Sequence, residues 1–195
     1  MEQHISVCFQ GSAAPPLFVW RALLKVKTVL CSFCLKSGIL CPKCSARVKS
    51  GEVTELDLKI ARLLLPLEEK YPALQNVYFH GAVEADNTLA IIVGPGDVAR
   101  ILGYGGKIIK ALSEETGKNI RVLEHGVDNR KFLEDLFAPL SIVTINTIWL
   151  PDGTTETRVI LRRRRRDSRL PFNVKALKEI ARKVRNMTLR VEFAD

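Results

Sequence analysis

The sequence has no apolar run long enough to cross a bilayer, although 47% of its 195 residues are hydrophobic. A membrane-spanning helix needs about 20 predominantly apolar residues. The first residues also lack the basic opening of a signal peptide, and the apolar segment PPLFVW is short before Arg21. We therefore expect a cytoplasmic protein with a packed core and no membrane partner.

Residues typical of catalytic sites are also scarce. The three histidines, His4, His80 and His125, are scattered along the chain. The acidic residues cluster in helix-like segments such as LEEK and SEE, where solvated helix faces are the usual explanation. Neither a Walker phosphate loop nor a nucleophile elbow is present. The sequence therefore predicts a protein that is not an enzyme and has no small-molecule substrate.

Positive charge is concentrated in the carboxy-terminal part of the chain. The net charge is +9, and the segment from Arg158 to Arg190 contains 13 Lys/Arg and 2 Asp/Glu. The remainder of the chain is therefore slightly negative. Such one-sided charge indicates a polyanionic partner. An anionic membrane explains it less well, because no basic amphipathic stretch with a Trp or Phe face accompanies it.

Four of the five cysteines fall within 14 residues, in the segment CSFCLKSGILCPKC. The spacing C-x2-C-x6-C-x2-C places two pairs of thiolates where they can complete a tetrahedron around one ion. We predict one Zn²⁺ held by Cys31, Cys34, Cys41 and Cys44. An iron–sulfur cluster and redox or disulfide use are the alternatives. Cys8 stands alone and is expected to be inert.

The role of this cysteine module is open from the sequence. It could be a stabilising cap beside the helix that follows. It could instead contact a polymerase, a ribosome or nucleic acid, helped by the basic residues Lys36, Lys43, Arg47 and Lys49.

Two successive segments show similar orders of predicted elements. Thr54 begins a helix, and NVYFHGAVEADNTLAIIVGPG follows as a hairpin. Two helices, GDVARILG and KIIKALSEETG, lead to the strand NIRVLE, which gives the order α-β-β-α-α-β. From Asp128 onward a helix, two strands, an arginine-rich stretch, a helix and a strand follow. We predict an α+β fold with an internal duplication.

Three glycines divide the apolar segment ILGYGGKIIKAL. A helix start preceded by glycines presents open backbone N–H groups, which favour phosphate and other anions. A flexible turn or a dinucleotide-binding loop is the alternative. However, the glycines do not fit G-x-G-x-x-G, and a predicted helix precedes them instead of a strand.

This segment resembles the I-G-x-x-G-x-x-I core of a KH domain, whose GXXG loop clamps about four nucleotides of single-stranded backbone. The element order resembles the type II arrangement, and two such domains in tandem resemble the archaeal NusA-like transcription factors, over about residues 53–193. The lack of a clear period predicts an amino-terminal extension (1–28), and the cysteine spacing predicts a zinc-binding module (29–51). The resemblance implies a first KH domain (53–126) and a second, degenerate one (127–195). It implies single-stranded RNA contacts at Arg100, Gly103, Tyr104, Gly105, Gly106, Lys107 and Lys110.

The second copy departs from the family pattern. The residues SRLP, from Ser168 to Pro171, stand where GYGG stands in the first copy, and proline has no N–H to donate. We expect an electrostatic clamp to replace the glycine loop; a solvated charged loop or a localisation signal is the alternative. The predicted basic patch comprises Arg162, Arg163, Arg164, Arg165, Arg166, Arg169, Lys175, Lys178 and Arg182.

The resemblance implies a transcription elongation or termination factor that partners single-stranded RNA and RNA polymerase. The alternatives are a ribosome-associated or ribosome-assembly protein, since a type II KH domain also occurs in a small-subunit ribosomal protein, and a zinc-dependent DNA-binding regulator.

Overall fold

The computed structural model describes residues 26–151, 153–162, 170 and 172–194, and it confirms the α+β class. Strand β1 (Lys27–Thr28) comes directly before the cysteine module, which contains helices α1 (Ser32–Ser37) and α2 (Pro42–Lys49). A first unit follows, with α3 (Glu55–Lys70), a 3-10 turn (Pro72–Asn76), β2 (Tyr78–Ala85), β3 (Thr88–Val93), α4 (Val98–Leu102), α5 (Lys107–Thr116) and β4 (Asn119–Glu124). A second unit has α6 (Asn129–Phe137), β5 (Ile142–Trp149), β6 (Thr155–Arg162), α7 (Val174–Arg185) and β7 (Leu189–Ala194).

The first unit has the order α-β-β-α-α-β that the sequence predicts. In the second unit the described elements run α-β-β-α-β, and residues 163–169 and 171 lie outside the described part. The strands form two sheets in the orders β1-β2-β3-β4 and β5-β6-β7. The assignment of each unit as a KH domain stays a prediction.

Helix α3 is fixed to the first sheet by one buried carboxylate. Thr54 caps the helix and forms a capping box with Asp57. The other carboxylate oxygen of Asp57, Oδ1, accepts the N–H of Ala82 in β2 at 2.5 Å. A side chain at Gly81 would lie 3.1 Å from that same oxygen, so glycine lets the helix approach the strand closely. The cap therefore sets both the start of the helix and its position on the sheet.

Both faces of the first sheet are covered. Leu89, Ile91 and Val93 of β3 pack into a core with α3 and α5. Ala90, between them, points to a second core built with α6 and α7, which cover the opposite face. This is why TLAIIV is apolar at nearly every position instead of alternating. The two units are consequently packed on one shared sheet, which positions the loops described below.

The second sheet buries only one face. Val159 and Leu161 of β6 and Leu189 of β7 pack against α7. The outer face carries Arg158, which pairs with Glu192 on the neighbouring strand.

The cysteine module joins the first unit through β1. Lys27 and Thr28 pair in parallel with Tyr78 and Phe79 of β2. The N–H of Val26 donates to Oε2 of Glu68 in α3 at 3.2 Å. The last residues of the predicted extension therefore belong to the first sheet, whereas Cys8, His4 and the rest of residues 1–25 lie outside the described part. The other predicted domain boundaries stay predictions.

Candidate nucleic-acid interface and metal site

The glycine segment forms a left-handed corner between two helices. Helix α4 ends at Leu102, and the next three residues after Gly103 all have positive φ: Tyr104 at 55°, Gly105 at 63° and Gly106 at 74°. Helix α5 then begins at Lys107. Left-handed backbone suits glycine, and it interrupts the right-handed helical path between α4 and α5. The glycines therefore form a corner between α4 and α5 in place of one continuous helix.

The corner leaves the start of α5 open to a ligand. Gly106 is the N-cap of the helix, and no side chain among the described residues caps its first N–H groups. A Cβ added at Gly105 or Gly106 would meet nothing within 4 Å, so this side of the corner faces solvent. Uncapped N–H groups and the helix dipole attract anions, phosphate in particular.

Gly103 has a different role from the other two glycines. A side chain there would lie 3.2 Å from the carbonyl oxygen of Arg100 and 3.3 Å from that of Ala99. Its φ of −54° is accessible to any residue. Gly103 is therefore required by the end of α4, and its need for glycine is explained without a ligand.

The cations predicted around the corner differ in availability. Lys107 is exposed and makes no ion pair with a described residue. Lys110 lies 3.9 Å from Glu114, and both side chains are exposed. Arg100 bonds to Asp97, which is 4% exposed and also accepts the N–H of Tyr78 at 2.8 Å. Lys107 is consequently the freest of the three, and Arg100 is partly committed to holding the start of α4.

Several cations of the basic segment from Arg158 to Arg190 make contacts within the protein. Arg158 pairs with Glu192, and Arg190 lies 3.0 Å from the same side chain. Lys183 donates to the carbonyl of Glu84 in β2 at 2.8 Å. Arg185 donates to the carbonyl of Val127 and sits over the ring of Phe132. These contacts hold the two units and the second sheet together.

The described cations of the predicted basic patch lie on α7 and at the end of β6. Lys175 and Arg182 are exposed on α7, Lys178 is half-buried there, and none of the three makes an ion pair with a described residue. Arg162 is exposed at the end of β6. The other five arginines of the patch, Arg163, Arg164, Arg165, Arg166 and Arg169, lie outside the described residues.

The four cysteines lie close enough together to hold one metal ion. Their Sγ atoms are all within 4.8 Å of one another. The Sγ of Cys31 lies 3.2 Å from that of Cys34 and 3.8 Å from that of Cys44. Four thiolates around Zn²⁺, each at about 2.3 Å, would be ~3.8 Å apart. The donor set and its spacing therefore fit a tetrahedral zinc.

The two C-x2-C pairs are built in the same way. Cys31 is the N-cap of α1 and Cys41 is the N-cap of α2, and Pro42 occupies the first helical position of α2. The backbone N–H of Cys34 bonds to the sulfur of Cys31, and this lowers the pKa of Cys31. The N–H of Cys44 acts likewise on Cys41 and lowers the pKa of that thiol to about 7. Each helix start thus favours a thiolate at its N-cap.

The second cysteine of the first pair behaves differently. The N–H of Cys41 donates to its sulfur at 3.0 Å and favours the thiolate. Burial and the neighbouring thiols outweigh this bond and raise the pKa of Cys34 to about 12. Bound Zn²⁺ would supply the positive charge that lets all four cysteines be thiolates together.

The cysteine module is anchored on the first unit by its buried side. Cys34, Leu35 and Cys44 belong to the same core as α3. Arg62 of α3 donates to the carbonyl of Gly38, between the two cysteine pairs, at 3.3 Å. A metal ion held here would therefore stabilise the packing of the module against α3.

The structure brings together two histidines that are far apart in the sequence. The rings of His80 in β2 and His125 after β4 stack at 4.0 Å with 10° between their planes. Nothing in the local sequence indicates this contact, because it depends on the order of strands in the sheet. Burial lowers the pKa of His80, the charge of His125 lowers it further, and Asp97 acts in the opposite direction.

We expect the stability of the protein to fall as the pH drops through about 6.5, the usual histidine pKa. The pKa of His80 is lower in the folded state, so the unfolded chain binds a proton first and acid favours unfolding. Thermal unfolding of the wild type and of His80→Phe between pH 8 and pH 5 measures this. Phenylalanine keeps a ring but cannot titrate. Equal pH dependence in both proteins would contradict the prediction.

The described helices include none that is long and apolar enough to cross a membrane.

Comparisons with known proteins give partial similarities. No model of a known protein family matches the chain. Over 80 residues it is 32% identical to a probable transcription termination protein NusA of Methanocaldococcus jannaschii, a match that covers 41% of this chain and 42% of the relative. Over 57 residues it is 30% identical to a probable transcription termination protein NusA of Methanococcus vannielii, covering 29% and 33% respectively. These matches span less than half the length of the curated relatives.

Among solved structures, the crystal structure of APE1850 is 23% identical, with a TM-score of 0.48. The matched region covers 73% of this chain and 100% of the APE1850 chain.

Proposed function

We propose that this chain is a transcription-associated RNA-binding protein similar to archaeal NusA, and that it is not an enzyme. It binds the backbone of single-stranded RNA at the left-handed corner from Gly103 to Lys107, in the manner of a KH domain of type II. RNA polymerase is the proposed protein partner. The NusA-like relatives support the class, and the geometry of the corner supports the site.

One observation carries the proposal. Three successive residues with positive φ lead into the uncapped start of α5, and Lys107 stands exposed at that point. The N–H groups of Gly106 and Lys107 donate to the carbonyls of Gly103 and Tyr104, and no described side chain caps the first turn of α5. The corner therefore offers the rest of this first turn, the positive end of a helix dipole and a lysine to one anion. A purely structural turn would need neither the uncapped donors nor the exposed cation.

The other parts of the chain have supporting roles in this proposal. The cysteine module binds one Zn²⁺ through Cys31, Cys34, Cys41 and Cys44. The bound ion stabilises the packing of the module against α3. The second unit is a KH-like domain without a glycine loop, and its arginine-rich segment adds an electrostatic contact to RNA. These roles fit the anchoring of the module and the exposed cations of α7 described above.

The test compares Gly105→Asp with Gly105→Asn. Both side chains tolerate left-handed backbone, both enter open space, and they differ by one negative charge. We expect Asp to weaken binding of a single-stranded RNA oligonucleotide about fivefold or more relative to Asn, because charges ~4 Å apart repel by about 1 kcal/mol even in water. Fluorescence anisotropy at low and high salt measures the affinity, and circular dichroism verifies the fold.

Equal affinities of the two folded variants would contradict a phosphate at the corner. Gly103 is unsuitable for this test, since a side chain there would press on the end of α4. Co-purification separates the candidate partners: RNA polymerase supports the proposal, whereas ribosomal subunits support a ribosome-associated protein.

A further inference from the structure

Tyr104 adopts a backbone conformation that a bulky side chain rarely accepts. Its φ is 55°, in the left-handed region. Glycine occupies the next two positions of the corner in the same region and fits there without a steric penalty. Side chains held in such conformations concentrate at functional sites. The ring of Tyr104 therefore requires an explanation that the turn itself does not provide.

The ring of Tyr104 is supported by a second aromatic ring. Tyr71, the C-cap residue that follows α3, lies with its ring centroid 5.3 Å away at an interplanar angle of 53°. Tyr71 is half-buried and packs against the first core. Tyr104 nevertheless remains 48% exposed. Tyr71 thus supports the ring of Tyr104, and much of the Tyr104 ring stays open to solvent.

This aromatic surface adjoins the open start of α5. Tyr104 is three residues before Lys107, and Leu102, on the other side of Gly103, is 53% exposed. An anion-binding corner and an exposed ring together match a ligand with a phosphate beside a flat ring. A nucleotide of single-stranded RNA has that composition, and bases stack on tyrosine irrespective of their sequence.

We propose that Tyr104, supported by Tyr71, is a stacking subsite for one unpaired base next to the phosphate held at the start of α5. The inference rests on the proposed function, since it needs RNA at the corner. It adds a residue, Tyr71, that contacts no ligand and positions Tyr104. A stacked base contributes about fivefold to 150-fold to affinity.

The experiment is a binding cycle between the protein and the RNA. A single-stranded oligonucleotide is made with one abasic site at each position in turn, and each version is titrated against the wild type, Tyr104→Asn and Tyr104→Phe. Asparagine tolerates positive φ without a ring, and phenylalanine keeps the ring. We expect the wild type and Tyr104→Phe to lose about tenfold at one position, and Tyr104→Asn to be weaker overall but insensitive there.

The outcomes separate this subsite from the proposed function. If Gly105→Asp weakens binding but the abasic penalty is the same in Tyr104→Asn and the wild type, the stacking subsite is wrong and the phosphate corner stands. If Gly105→Asp binds as well as Gly105→Asn, the proposed function fails as well. A Tyr71→Leu variant should show an intermediate abasic penalty, and an unchanged one would overturn the positioning role of Tyr71.

A measurement without variants covers the case in which Tyr104→Asn does not fold. Ultraviolet crosslinking of the wild-type protein to the oligonucleotide, followed by tryptic digestion and mass spectrometry, should attach a nucleotide to the peptide of residues 101–107. Crosslinks confined to other peptides would overturn the proposal.

Discussion

Replacing Cys34 by serine is expected to remove the metal from the protein and to lower its thermal unfolding temperature by more than a typical point mutation does. Cys34 is fully buried, and its sulfur lies among the other three. Metal binding is worth about 10–16 kcal/mol in zinc-finger peptides, whereas most single substitutions cost ~0.5–3 kcal/mol. Elemental analysis by mass spectrometry and thermal unfolding measure both effects.

Cys8→Ser is the matched control, because the same atom is replaced in a cysteine that is not predicted to bind metal. One zinc per chain in the wild type and in Cys8→Ser, and none in Cys34→Ser, is the expected result. Iron with visible absorption would favour a cluster instead. Equal metal content and equal unfolding temperatures in the two variants would contradict a metal site at the four cysteines.

The same pair of variants distinguishes the two roles of the cysteine module. A stabilising cap predicts that Cys34→Ser, at a temperature where it is folded, binds RNA like the control. The anchoring of Cys34, Leu35 and Cys44 in the core of the first unit supports this outcome. A loss of RNA affinity in the folded variant would instead indicate a direct contact by the module.

The parts of the site that could be predicted from the sequence are local in the chain. The cysteine pairs are recognisable because two residues separate the ligands, and each pair folds around its own helix start. The glycine corner is recognisable because left-handed backbone selects for glycine within a few residues. In both cases the sequence neighbours are also the spatial neighbours.

The parts that could not be predicted depend on contacts between distant segments. Tyr71 and Tyr104 are 33 positions apart in the sequence, and they meet only because α3 and the corner pack on one core. His80 and His125 meet through the order of strands in the first sheet. Hydrophobic periodicity finds the buried faces of such elements, but it does not determine which elements become neighbours.

Predictions of a binding surface from net charge have the same limit, because they ignore contacts between distant segments. The sequence assigns a large positive excess to the region after Arg158, but Arg158, Lys183 and Arg185 are engaged inside the protein. The pairing with Glu192 offsets the charge of Arg158, whereas the bonds to carbonyl groups restrict Lys183 and Arg185 without neutralising them. We therefore expect the arginine run that precedes α7 to contribute more to binding than its share of the charge count suggests.

Replacing Arg163, Arg164, Arg165 and Arg166 by serine is expected to weaken RNA binding strongly and to flatten its salt dependence. For a single strand, each phosphate that the protein no longer neutralises reduces the slope of log K against log salt by about 0.7, so four phosphates amount to about 3. Five adjacent arginines repel one another in the free protein, and a polyanion relieves that repulsion. The slope is measured by titrating the protein with RNA at several salt concentrations between about 50 and 300 mM.

A matched comparison separates specific contacts from the general effect of net charge. Arg163→Ser with Arg164→Ser removes two positive charges from the run, and Arg130→Ser with Lys131→Ser removes two from α6. The latter cations already pair with Glu134 and Asp135 on their own helix. We expect the double substitution in the arginine run to reduce the slope of log K against log salt by about 1.4. The double substitution in α6 should leave that slope nearly unchanged. Equal slopes for the two pairs would show that the arginine run acts only through net charge, and the electrostatic clamp would then be wrong.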